Sequence, residues 1–138
     1  MSAGIRSEGE HVLLVKTTIA PSPIHGLGLF ADQCIPQGTR IWEFTPGFDL
    51  KLSSAFVENA PEPLHSWLHT HTYCSRQSHY YILCSDDARF FNHAETPNTE
   101  SREVAGEDEV ITVAKRDIQP GEELTDDYRT FEAHVIDL

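Results

Sequence analysis

The sequence predicts a mainly β, α+β domain, and three observations predict it. Short runs rich in β-branched and aromatic residues recur along the chain, most of them bounded by proline or glycine. A single central stretch has helical spacing, at Leu64, Trp67, Leu68 and His71. Strands do not alternate with helices in the manner that builds a parallel sheet.

The elements follow in order. Val12 to Val15, continued by Lys-Thr-Thr-Ile, gives a strand from His11 to Ile19 that Pro21 and Pro23 break. His25 to Ala31 is a second apolar strand containing Gly26-Leu27-Gly28. Two glycines one residue apart let backbone approach a ligand or take a tight turn. A dinucleotide-binding reading fails there, because the third glycine and the following helix pattern are missing. Ile35-Pro-Gln-Gly38 is a turn, and Thr39 to Thr45 alternates as a half-buried strand. Ile118-Gln-Pro-Gly121 leading into Glu122 repeats that turn-to-strand pattern. Ser53 is placed to cap a short helix over Ser54 to Asn59, and Pro61 and Pro63 interrupt before the second helical stretch. His79 to Cys84 and Val110 to Lys115 read as strands, Ser85 to Asp87 as a turn, and Thr99 to Glu109 as a polar hairpin loop. The end carries Phe131 and an apolar group at Val135, Ile136 and Leu138.

The 138 residues suit one domain, with residues 1–10 a polar leader and 11–138 the folded unit. No run approaches the roughly 18 apolar residues of a membrane helix, and the start lacks the apolar core of a secretion signal. An intracellular location follows, in a bacterial cytoplasm or on chromatin. The net charge of −12, from 10 basic and 22 acidic residues, argues against nucleic acid or an anionic membrane as direct partner. It favours a lysine-rich, basic one. Cys34, Cys74 and Cys84 form no Cys-x-x-Cys pair and read as three buried, reduced thiols. His65 and His69 share a helix face at i, i+4, but no acidic or cysteine partner stands nearby in sequence, so surface histidines rather than a metal site are expected. Asp86-Asp87 and Asp126-Asp127 are adjacent pairs best suited to turns and caps.

Three segments carry the chemistry: Gly26-Leu27-Gly28-Leu29-Phe30; Arg89-Phe90-Phe91-Asn92-His93-Ala94-Glu95-Thr96-Pro97-Asn98; and Gly121-Glu122-Glu123-Leu124-Thr125-Asp126-Asp127-Tyr128. Their order and spacing resemble the signature segments of the SET domain, the fold of most protein lysine methyltransferases. The resemblance covers about residues 12 to 131. It implies a β-clip fold of small curved sheets around a pseudoknot, in which the C-terminal segment passes beneath a loop formed by the Asn-His region. It also implies S-adenosylmethionine as methyl donor and a lysine of a histone or other basic protein as substrate.

Residue by residue, the resemblance implies donor contacts at Gly26, Leu27, Gly28, Arg89, Phe91, Asn92, His93, Tyr128 and Phe131. The resemblance also implies that Tyr128 stands at the junction of donor pocket and lysine channel. With a reference pKa near 10 its hydroxyl is a poor base, so its role is positioning rather than proton removal. Tyr80 and Tyr81 point to opposite faces of a strand. One of them is expected to line the channel, where an extra hydroxyl limits the number of methyl groups, and the other to enter the core. Two features depart from the family pattern. Ala94 replaces a serine, and the zinc-bound cysteine tail of larger members is absent, which leaves closure to Phe131 and the chain end or to a second subunit in a homodimer. Two rival readings stand beside the enzyme: a silent SET-fold module that binds a lysine tail or protein, and a metal enzyme built on the histidines.

Overall fold

The computed structural model describes residues 13–133. Within them ten short strands form four small sheets, with two helices inserted between the fourth and fifth strands. β1 (Thr17–Pro21) and β2 (Leu27–Ala31) form an antiparallel hairpin in which Pro21 pairs with Leu27. Pro21 therefore ends β1 rather than lying beyond it. Lacking an N–H, proline is tolerated at that edge position. β3 (Arg40–Trp42), β8 (Thr99–Arg102) and β9 (Ile111–Ala114) make a sheet with β9 central. β4 (Leu50–Leu52), β5 (Tyr73–Cys74) and β6 (Tyr81–Leu83) make another with β6 central. β7 (Asn92–His93) and β10 (Thr125–Asp126) form a two-residue parallel ladder.

The helical insert starts where the sequence places it. The Ser53 side chain accepts from the Phe56 N–H, and α1 runs over Ser54–Glu58 with Asn59 as its C-cap. α2 (Leu64–His71) follows the prolines. Val57 and Leu68, both nearly inaccessible, pack α1 and α2 onto Cys74 and Tyr81. A second core gathers Leu29, Ile35, Ile41, Ile118 and Leu124, and a third Trp42, Ile82, Cys84 and Ala88. Phe91 packs against both of these. Burial of each large side chain contributes roughly 1.5–3 kcal/mol.

Several expectations are corrected. The first strand begins at Thr17, because Leu13 makes only an isolated bridge to Trp42. The third is limited to Arg40–Trp42, since its register with β9 shifts between those residues. The polar stretch after Asn98 is not a loop from its start. Thr99–Arg102 forms β8, with Thr99 opposite Ala114 and Arg102 opposite Ile111. Composition misses this strand because its register is supplied by β9 and not by its own apolar content. Cys34 is exposed, and only Cys74 and Cys84 are buried. The expected leader and the apolar end at Val135, Ile136 and Leu138 lie outside the described residues.

Candidate functional site

Two segments far apart in sequence meet at the β7–β10 ladder, where Asn92 pairs with Thr125 and His93 with Asp126. Two residues of ladder hold little by themselves, and the turn residue Asn98 supplies the rest. Its carboxamide oxygen accepts from the Thr125 N–H at 3.0 Å, and its Nδ2 donates to the Glu123 carbonyl at 2.8 Å. Thr99 Oγ1 donates to the Thr125 carbonyl at 2.7 Å. On the other side, the Leu124 N–H donates to the Leu29 carbonyl and the Ala31 N–H to the Glu122 carbonyl. Residues 122–126 are thus clasped between β2 and β7.

Just beyond the ladder, Asp127 caps a 3-10 turn over Tyr128–Thr130 by accepting from the Arg129 N–H. The Arg129 guanidinium bound to it, more than any other group, holds its carboxyl below the usual range. The turn aims Tyr128 back into the protein, and its hydroxyl donates to the Phe91 carbonyl. Burial, followed by the nearby Asp126 carboxyl, raises that phenol to about 12. It remains a neutral phenol whose one proton is committed and whose lone pairs are available as acceptors.

Tyr128 belongs to a row of rings. Its centroid lies 5.3 Å from that of His93 and 5.7 Å from that of Phe131, which in turn sits 4.9 Å from Tyr73. Phe131 is fixed by a strand-like contact with β5. The Arg76 N–H donates to the Phe131 carbonyl at 2.9 Å and the Ala133 N–H to the Cys74 carbonyl at 2.7 Å. The rings of Tyr73, Tyr128 and Phe131, with Trp42, Phe91, Asp126 and Glu132, line a cavity of about 150 Å³ whose lining also includes Thr70, His71 and Thr72 from the end of α2. Asp126 is 4% exposed. Desolvation raises its carboxyl to about 7, although the Asp127 N–H donates to it at 2.8 Å. The adjacent pair therefore divides its roles: Asp127 caps as expected, whereas Asp126 faces the cavity.

On the other side of His93 lies the glycine segment. The Glu123 carboxylate accepts from Ser22 Oγ and, at 2.8 Å, from Asn92 Nδ2. The same amide donates to the carbonyls of His25 and Leu27 at 3.2 Å. A side chain at Gly28 would strike Glu123, so this glycine is needed for protein packing as well as for any ligand. Gly26, at φ +46°, has open space where a side chain would point, and the exposed Ile24 and Leu27 flank it.

The residues fit a polar, adenosine-bearing donor on two counts. The Asn92 carbonyl oxygen has no partner among the described residues and can accept from an ammonium group. The His93 ring accepts from the Tyr128 N–H through Nδ1 at 3.1 Å, which leaves Nε2 as a buried donor with nothing to bond.

The expected site residues divide as follows. Arg89, Phe91, Tyr128 and Phe131 line the cavity; Asn92, His93 and Gly26 to Gly28 gather beside it. The Arg89 guanidinium also lies 5.1 Å from the Phe90 ring centroid. Tyr80 and Tyr81 do face opposite ways, but neither lines this cavity. Tyr80 is exposed near Lys51, and Tyr81 is buried with its hydroxyl donating to Glu58 at 2.8 Å. Besides Tyr128, the tyrosine that lines it is Tyr73, whose hydroxyl has no partner among the described residues. Desolvation raises it well above its ordinary value. In sequence, Tyr73 is one aromatic residue after a helix. Only the pairing of β5 with β6 and the return of Phe131 show where it points.

Comparison with known proteins agrees with this arrangement. The SET domain family pattern matches residues 26–129. Human histone-lysine N-methyltransferase 2D is 31% identical over 117 residues, and Arabidopsis thaliana histone-lysine N-methyltransferase ATX2 is 32% identical over 118. Each match covers 80% of this chain, but only 2% of the human protein and 10% of the plant one. A solved Plasmodium falciparum chain, described as a candidate histone methyltransferase, superposes with a TM-score of 0.58. It covers 83% of this chain and 93% of its own length at 23% identity, which speaks to the fold alone. No helix among the described residues is long and apolar enough to cross a membrane. A mainly β architecture of small sheets, a clasped pair of signature segments and a matching pattern over most of the length lead to one conclusion: the chain belongs to the SET-domain family.

Proposed function

We propose that this protein methylates the ε-amine of a lysine in a basic protein, with S-adenosylmethionine as donor. The observation that carries the reading is the Tyr128 hydroxyl, committed to the Phe91 carbonyl, in an aromatic cavity beside the Asn92-His93 and Gly26 to Gly28 segments. Bound against those segments, the donor would supply an electrophilic methyl group on a sulfonium. Asn92 and His93 would hold it through the carboxamide oxygen and the buried ring donor. Gly26 would contribute uncovered backbone.

The chain's own task is the amine. A free lysine has a pKa near 10.4, so only about one side chain in a thousand is nucleophilic at neutral pH. Tyr73, Trp42, Phe91 and Phe131 would surround an entering alkyl stem with apolar surface and remove water, which favours the neutral amine. Glu132, with Asp126 in its ionised fraction, would first attract the ammonium. Tyr128 would then orient the amine through its lone pairs, and alignment supplies much of the acceleration. The overall charge of −12 suits a basic substrate. The relatives named above act on histone lysines, and a histone tail is the first substrate to try.

The test is calorimetric titration of S-adenosylmethionine into the native chain and Tyr128→Phe, followed by methyl transfer to a lysine-rich histone-tail peptide. Both proteins are expected to bind the donor and only the native one to methylate. No binding at donor concentrations up to about a millimolar would overturn the enzyme reading in favour of a silent module that holds a lysine tail.

A further inference from the structure

We propose that Glu58, His65 and His69 form a binding site for a zinc-type divalent ion on the helical insert. None of the three lines the cavity of Tyr128, so the site is separate from the one described above. Sequence alone offers two histidines one turn apart on α2 and no third ligand. The fold supplies it: the turn between the helices brings the last residue of α1 over the same face. His65 Nε2 lies 3.9 Å from Glu58 Oε1, and His69 Nε2 lies 3.8 Å from Glu58 Oε2. The ligand atoms of all three residues fall within 4.8 Å of one another.

These separations are too long for hydrogen bonds and somewhat wider than the edge of a tetrahedral zinc site, about 3.3 Å for ligands at 2.0–2.1 Å. Closing that gap requires only rotation of side chains. Glu58, His65 and His69 are 51, 32 and 41% exposed, on helices held together beneath them by Val57 and Leu68. Two imidazoles and a carboxylate match the three protein ligands of a zinc site with one position open to water. The nitrogen ligands select zinc, cobalt or nickel over calcium or magnesium.

The groups around the ligands strengthen the case. His65 Nδ1 sits 3.6 Å from Glu62 Oε2, so a carboxylate faces the far ring nitrogen while Nε2 is turned toward Glu58. Glu62 is itself held by the Ser66 N–H and hydroxyl, at 3.1 and 2.9 Å. The Tyr81 hydroxyl donates to Glu58 at 2.8 Å, which anchors the carboxylate beside the two rings. An oriented imidazole and an anchored carboxylate are what distinguish a ligand set from scattered surface histidines. The neighbouring His71 is different: its ring stacks on Trp67 and its Nδ1 lies 2.9 Å from the Trp67 carbonyl.

The experiment uses the full chain without an affinity tag. Zinc chloride is titrated by calorimetry at pH 7.5 into the native protein, Glu58→Gln, His65→Ala/His69→Ala and Cys34→Ser. One ion per chain is expected in the native protein and in Cys34→Ser. Affinity should be at least about tenfold weaker in Glu58→Gln, which keeps an acceptor for Tyr81, and absent in the double histidine variant. Zinc should raise the melting temperature of the native protein and leave that of the double variant unmoved. Native affinity persisting without both histidines would overturn the assignment. So would binding that disappears with Cys34, or none up to about 100 μM zinc. His69 is exposed and His65 partly so, so circular dichroism of the double variant should match the native protein.

Discussion

Adding one methyl group at Gly28 should uncouple two of the signature segments. A Cβ there would stand 2.9 Å from Glu123 Cδ and 3.0 Å from Ser22 Cβ, and closer still to a carboxylate oxygen. Gly28 is not among the glycines with positive φ, so alanine meets no backbone strain and the effect is steric. The carboxylate must move, and with it go the bonds from Ser22 and Asn92. A hydrogen bond to a charged group contributes about 1.5–3 kcal/mol net. Glu123 is half-buried, so water replaces part of that loss, and Gly28→Ala should cost about 2–3 kcal/mol by that rule. The assay is urea denaturation of a double-mutant cycle with Glu123→Ala. Once the side chain is truncated only the tight 3.0 Å approach to Ser22 Cβ remains, and Gly28→Ala should then cost under about 1 kcal/mol, a coupling near 2. Equal costs in the two backgrounds would refute the reasoning.

Two other outcomes follow from the cavity. The Asp126 carboxyl titrates at about 7 in the folded protein against 3.8 for an ordinary aspartate. The folded state therefore holds the extra proton between those values, and stability should fall as pH rises from about 4 to 7. A gap of about three pH units at about 1.4 kcal/mol each makes Asp126→Asn more stable than the native chain by up to about 4 kcal/mol at pH 8. No such gain should appear at pH 4. Denaturation at the two pH values checks this, and equal stabilities at pH 8 would count against a desolvated carboxyl. Under the proposed function, Tyr73→Phe should increase the number of methyl groups added to a peptide, read by mass spectrometry. An unchanged product distribution would remove Tyr73 from the channel.

Much of this architecture is written locally, and what is not has a common cause. Ser53, the two prolines and the spacing of Leu64, Trp67 and Leu68 define the helices through capping and periodicity, which are properties of neighbours in sequence. The three signature segments are equally local, and the family follows from them. β8 is not legible in its own composition because its four residues are ordered by β9. Asp126 and Asp127 are chemically the same in sequence, yet β10 buries one and leaves the other to cap a turn. The cavity takes Tyr73 in place of the expected Tyr80 or Tyr81 for a similar reason. Which tyrosine meets the cavity depends on how β5, β6 and Phe131 are stacked. Glu58 completes a ligand set only across a turn whose geometry no spacing rule supplies.

The β7–β10 ladder has a consequence for when the site exists at all. Its two pairings join residues more than thirty positions apart, and closing so long a loop has an entropic cost that only the completed neighbourhood can repay. Leu124, Asn98 and Thr99 are buried within the same neighbourhood, so the clasp and the sheets around it form together. Opening would release Tyr128 from Phe91 and His93 together. Under the proposed function, methylation would require this clasp around Asn98 and Thr125 to be closed, and a bound donor or substrate would favour the closed form.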